Sequence, residues 1–164
     1  MTFTNNMGVL MSAIFPLNSG TGDQFRSGMI DITNTPQTIK IKGFSSDQEL
    51  FNTVMAGNFV QIGKGSTPSL RTDFNIESPF TNGGVEDNQI PTGVGGFTDG
   101  NNKILYTTQI NPTAGSGSIR EVCYFLTLRN SSAINKTFLM MRDIIPLIGF
   151  IAGQSITIEN EVFI

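Results

Sequence analysis

The chain has 164 residues, enough for one domain with a sizeable core, and only 14% of them are charged, against roughly 25% in an ordinary globular domain. Asn, Thr, Ser, Gln and Gly must therefore cover much of the surface, which suits close contact with neighbouring subunits better than free diffusion as an enzyme. Ten basic and thirteen acidic residues give a net charge of −3 with no basic run longer than Lys40-Ile41-Lys42, so the phosphate-neutralising term behind nucleic-acid binding is missing.

Residues 1–28 read as an extended N-terminal arm. Phe3, Met7, Val9, Leu10, Met11, Ile14, Phe15 and Leu17 are apolar, with no period read from their order. Such a segment is costly to leave in water, so it lies on its own domain or on a neighbouring subunit. The start lacks a basic cluster, and Ser12 and Pro16 interrupt the apolar run, so no secretory leader is expected. Residues 29–164 read as one β domain. Met29 to Phe44 holds two strands around a turn at Asn34-Thr35-Pro36, with Ile39 and Ile41 inward and Lys40 and Lys42 outward. Ser46 to Gly57 is the helix candidate. Ser46 and Glu49 have capping-box spacing, Leu50, Phe51, Val54 and Met55 share a face, and Gly57 is a stop.

Phe59 to Ile62 is a short strand. Gly63-Lys64-Gly65-Ser66-Thr67 invites comparison with a phosphate loop but lacks its spacing, and Pro68 follows where a helix would begin, so a tight turn is the better account. A short strand is expected at Asp73 to Ile76. Thr81 to Asn102 is a long Gly-rich loop carrying Val94 and Phe97, the place for a partner contact. Glu86 and Asp87 in it lack calcium-loop spacing, and no metal or cofactor is expected.

Lys103 to Ile110 alternates as a strand. Arg120 to Leu128 is apolar on both faces except at Glu121 and Thr127, the mark of a central strand. Cys123 within it reads as a small buried apolar residue, since the chain has no histidine to activate a thiol. Asn130-Ser131-Ser132 turns the chain. Lys136 to Met141 and Leu147 to Ile151 read as two buried strands with a bend between them. The uncharged run there is too short to span a bilayer, so no membrane is expected. Ser155 to Phe163 closes the sequence with period two, Ile156, Ile158 and Val162 on one face and Thr157, Glu159 and Glu161 on the other. About eight or nine strands and one short helix make this an all-β chain, an antiparallel β-sandwich of jelly-roll-like kind.

No catalytic constellation stands out. The carboxylate pairs Asp73 with Glu77, or Glu86 with Asp99, are the only ones to consider for glycan cleavage, and nothing in the spacing fixes their geometry.

Three segments together resemble virion structural proteins of tailed bacteriophages. The first runs from Phe59 through Gly63-Lys64-Gly65, Thr67-Pro68 and Asp73-Phe74 to Ile76. The second is Ile119-Arg120-Glu121-Val122. The third is Phe138-Leu139-Met140-Met141-Arg142-Asp143, followed by Ala152-Gly153-Gln154-Ser155-Ile156-Thr157-Ile158. Cys123 stands where that group commonly has glycine, and Gln154 where it commonly has an acidic residue. The resemblance implies a non-enzymatic β-sandwich protein, made in the host cytoplasm and carried in the virion. It implies a capsid decoration (cement) protein covering inter-capsomer seams as a homotrimer, bound to the major capsid protein or a neighbouring virion protein. The alternative is a tail or fibre component contacting another tail protein or a host receptor. On this reading Val9, Leu10, Ile14 and Phe15 of the arm and Val94 and Phe97 of the loop supply apolar contacts. Glu121 pairs either with Arg120 or Arg142 of a neighbour or with a partner inside its own subunit.

Overall fold

The structure, a computed structural model, describes residues 2–14, 24–41, 59–80, 93–95, 103–112 and 116–163. In chain order these form β1 (Thr2–Phe3), α1 (Asn5–Ile14), β2 (Gln24–Ile30), β3 (Pro36–Ile41), β4 (Phe59–Gly63), β5 (Gly93–Gly95), β6 (Lys103–Ile110), β7 (Ser116–Arg129), β8 (Asn135–Ile151) and β9 (Ile156–Phe163). Every pairing is antiparallel. One sheet has the order β1-β8-β7-β4, a hairpin joins β2 to β3, and a third sheet has the order β5-β6-β9. The described chain is thus mostly β with one short helix.

β7 is apolar on both faces because it is sandwiched in its sheet between β4 and β8 and covered above and below. Its alternate residues enter two separate clusters. Val122, Tyr124 and Leu126 join the main core with Val60, Ile62, Phe138 and Met140, whereas Cys123 and Phe125 join Leu139 and Ile76 on the opposite face. The Phe59 ring stacks on Phe125 there, centroids 5.1 Å apart. Ile110, Ile156 and Ile158 bring the third sheet into the main core.

β8 is one strand rather than two with a bend. Its register against β7 shifts twice. The first shift, where Tyr124 faces Met141 and Phe125 faces Leu139, leaves Met140 extra, so that Met140 and Met141 both enter the main core and Arg142 swings to the far face opposite Cys123. The second lies between the Ile144–Glu121 and Ile148–Ile119 pairs. Pro146, which has no N–H to give a ladder, falls in that irregular stretch.

The N-terminal segment is extended at Thr2–Phe3 but helical, not an extended arm, over Asn5–Ile14. β1 pairs with β8, Thr2 opposite Arg142 and Phe3 opposite Met141. The Thr4 hydroxyl donates to the Leu139 carbonyl at 2.7 Å, and Asn6 clamps Ile30, accepting from its N–H at 2.7 Å and donating to its carbonyl at 2.8 Å. Helix α1 then buries Met7 and Leu10 in the main core. The helix read from Ser46 to Gly57 lies outside the described residues. Two other expectations change. Gly93–Gly95, within the stretch read as loop, pairs with β6 as β5. The segment Asp73 to Ile76 is not a strand, because local bonds outcompete a ladder: Asp73 accepts from Leu70 N–H at 2.8 Å and Asn75 Oδ1 from Ile76 N–H at 2.8 Å.

Candidate functional site

On the far face of β7 and β8, residues 64–78 fold over a group of charges. Glu121 stands on β7 and is 0% exposed. A buried carboxylate needs donors at each lone pair, and here they are supplied in full. Gly65 and Ser78 N–H each donate to Oε2 at 3.2 Å. Glu77 N–H donates to Oε1 at 2.8 Å, and Arg142 Nε donates to the same oxygen at 2.7 Å. The Cys123 thiol points at Oε1 from 3.7 Å. The Gly63-Lys64-Gly65 turn therefore cradles this chain's own carboxylate, not a phosphate. Glycine is required at both ends of it. A Cβ on Gly63 would sit 2.5 Å from the Ser78 carbonyl oxygen and 2.7 Å from Glu121 Oε2, and one on Gly65 would collide with Glu121 and Glu77.

Arg142 is the centre of the group, its side chain only 4% exposed. Its planar fork reaches three carboxylates at once: Nε to Glu121, Nη1 to Asp73 Oδ2 at 2.8 Å, and Nη2 to Glu77 Oε2 at 2.8 Å. Burial works against its charge, but the hydrogen bonds to Glu121 and Asp73 outweigh that and raise its pKa. Glu77 is held below its ordinary value, first by the Thr67 hydroxyl and N–H, which donate at 2.8 and 3.0 Å, and further by Arg142. Burial, and then the negative charge of Glu121, push the Cys123 thiol well up, so it stays protonated. An open depression of about 540 Å³ lies over the group, lined by Asp73, Glu77 and Arg142 together with Thr67, Thr72 and Asn75.

The arrangement is built to hold a loop. Asp73 and Glu77, weighed from sequence as a possible acid and base, are both bound to one guanidinium, and Glu77 is moved away from the raised pKa a general acid needs. Among the described residues no three Asp, Glu, Cys or His side chains are placed to hold a metal ion.

The residues expected to meet a partner are distributed differently. Glu121 has its partner, Arg142, inside the subunit. Leu10 is 1% exposed in the main core, so its side chain is unavailable to a neighbour, while Val9 is half-buried against that core. Ile14 ends α1, and Val94 lies opposite Tyr106 in β5. The side chains of Ile14 and Val94, and all of Phe15 and Phe97, lie outside the described residues. Arg142 was not singled out as a site residue from sequence. The signal for it was present in the order of Gly-x-Gly, Asp73, Glu121 and Arg142, four polar or glycine positions set in otherwise apolar or turn segments. No protein-family model matches the chain, and neither a curated protein nor a solved structure matches it.

Proposed function

We propose that this chain is a non-enzymatic structural protein of a tailed-phage virion, a homotrimer that decorates the capsid and stabilises it by covering seams between capsomers. The observation that carries the reading is spatial. The three segments that resemble phage virion proteins are far apart in sequence, yet they supply Gly65 and Asp73, Glu121, and Arg142 to a single bonded group. A motif set whose polar members bond one another reflects a common architecture better than chance matches between apolar strands do. On this reading the β1-β8-β7-β4 and β5-β6-β9 sheets are the two layers of a jelly-roll-like sandwich. Their shared core, with Ile110, Ile156 and Ile158 beside Val122, Tyr124 and Phe138, supports that arrangement.

The seam-covering surface is not Leu10, which serves its own core. The outer half of β8 suits the task better, since Leu147 and Ile151 are 61% and 64% exposed. Each large side chain fully covered at a seam contributes roughly 1.5–3 kcal/mol before ordering costs. Many copies per particle make modest energies sufficient. Light scattering on the purified chain tests the assembly, with a mass three times that of the chain expected, and a stable monomer removing the trimer. Immunogold labelling of intact particles then tests the location. Label over the capsid supports decoration, and label confined to the tail moves the protein to the tail or fibre alternative.

A further inference from the structure

Residues 64–78 stand apart from the rest of the described chain in how they are attached. At the mouth of the loop Lys64 N–H donates to the Ser78 carbonyl and ties its two ends together, and the backbone bonds to the sheet there are Phe80 N–H to the Ile62 carbonyl and the bridge of Gly63 with Pro79. At its far end the Arg71 carbonyl accepts from Asn5 N–H at 2.7 Å. Ile76, 9% exposed, is its one buried apolar side chain, whereas Lys64, Ser66, Thr67, Pro68, Leu70, Arg71 and Thr72 are exposed. The Asn75 amide donates to the Ile32 carbonyl at 3.3 Å, and the other side-chain bonds that hold the loop down among the described residues are made by carboxylates receiving a hydrogen bond. Glu121 takes three loop amides, and Asp73 and Glu77 take two arms of Arg142.

We propose that residues 64–78 form an acid-released latch, a loop that opens as one unit on protonation of its carboxylates while the β7–β8 ladder stays closed. The reason is stereochemical. Every hydrogen-bond partner of Glu121 among the described residues is a donor: the amides of Gly65, Glu77 and Ser78, the Arg142 Nε–H and the Cys123 thiol. A proton added to Oε2 meets only the N–H groups of Gly65 and Ser78, so a bond that holds the loop must break, and on Oε1 the one atom able to accept is the weakly accepting Cys123 sulfur at 3.7 Å. The titratable and charged groups facing this point are Asp73 and Glu77 from the loop, Glu121 and Cys123 from β7, and Arg142 from β8; Lys64 turns away over the Phe80 ring, 4.8 Å from its centroid. Three carboxylates share one guanidinium, and each neutralised carboxyl gives up its ion pair and keeps at most a weaker hydrogen bond to it. The ladder from Glu121–Ile144 to Arg129–Asn135 rests on backbone bonds and apolar burial, which protons do not touch. Opening would carry Thr67, Thr72, Asp73, Asn75 and Glu77 away from Arg142 and take apart the depression they line with it, giving the loop two positions that a partner can select.

Hydrogen exchange of the wild-type chain, read by mass spectrometry after brief labelling at a series of pH values and corrected for intrinsic rates, tests the latch without a variant that could misfold. Peptides covering 64–78 are expected to lose protection at a pH at least one unit above that at which 121–129 lose it. Loss of both together, or of the strand first, overturns the proposal. Glu121→Gln places an amide where the protonated acid would be, and at neutral pH it is expected to raise trypsin cleavage after Arg71 at least tenfold over wild type. Asp73→Asn with Glu77→Gln, which leaves the Glu121–Arg142 pair intact, is expected to raise it less. Unchanged cleavage in both variants would also overturn the latch.

Discussion

Removing Arg142 strands Glu121. With the guanidinium gone, a fully buried carboxylate keeps its loop amides but loses its counter-charge, and Asp73 and Glu77 lose theirs at the same moment. Breaking a buried pair from one side costs about 3–5 kcal/mol, so Arg142→Met should lower the unfolding free energy by that much, read in urea as a lower midpoint with little change in slope. Arg142→Lys should recover only a small part, because one ammonium cannot reach three carboxylates held at different edges of a planar fork. The glycine at 65 answers to the same geometry from the other side. Its backbone needs no unusual torsion; it is small because Glu121 and Glu77 stand where a side chain would go. Gly65→Ala is expected to cost about 1–3 kcal/mol by displacing those carboxylates, measured by the same denaturation. A Gly65→Ala chain as stable as wild type would show that the cradle has room to relax.

The turn joining β2 to β3 is held by one carboxylate, and its response to pH follows from that. Asp31 accepts from Thr33 N–H and Oγ1, from Thr35 N–H and from Gln37 Nε2, with Lys136 at 3.5 Å. Burial acts to raise its pKa, but the Thr33 hydroxyl and the other donors outweigh burial and carry it below 3.8. A depressed folded pKa gives stability that is complete above the unfolded value and is lost as pH falls through the folded one. Asp31→Asn is therefore expected to cost about 1–2 kcal/mol at neutral pH. That cost should shrink as pH drops below 3.8, and a cost independent of pH would contradict the assignment. Helix α1 gives a second test at this scale. Leu10→Ala should destabilise the isolated chain by about 2–5 kcal/mol, as for any core leucine, whereas an arm that served only a neighbour would leave the isolated chain unchanged. The helix was legible in part. Met7, Leu10, Met11 and Ile14 follow helical spacing, but Val9 and Phe15 blur that stripe, and the Asn5-Asn6 start and Gly8 argue against a helix on propensity alone. Docking decides it, through Thr4 and Asn6 bonded to carbonyls of β8 and β2. β6 spans the residues whose alternation marked it, Lys103–Ile110, and at its described end Gln109 is exposed and Ile110 buried, as a strand buried on one side requires. Of the two irregularities of β8, the one around Pro146 is marked by that proline, but the one at Met140 leaves no such mark, since a bulge keeps the residue types and shifts only their faces. Arg142 is aimed by one of them, which is why its three partners could not be read from spacing.

At the scale of the whole molecule, the described surface carries five exposed large apolar side chains. Phe25, Leu70 and Ile134 sit on three separate segments, and exposed apolar residues scattered singly are ordinary. Leu147 and Ile151 differ, because they lie four residues apart on one strand, which places them about 13 Å apart. Among the described residues that half of β8 pairs with β7 on one edge only, and it carries Pro146, which has no N–H to give, in the stretch where its register against β7 shifts. Such an edge resists open-ended ladder growth, so association through it has to come from side-chain burial in a defined contact. Replacing both residues with serine then separates folding from assembly. Exposed side chains contribute little to the isolated fold, so the unfolding free energy of Leu147→Ser with Ile151→Ser should stay within about 0.5 kcal/mol of wild type. If the two side chains are covered in a trimer or at a capsid seam, losing even about 3 kcal/mol of burial weakens that contact more than a hundredfold. The double variant should therefore scatter light as a monomer, or fail to be retained on particles, while melting like the parent. A variant that keeps the parent's mass and particle occupancy would move the contact away from β8 and leave these two leucine and isoleucine side chains as ordinary exposed residues.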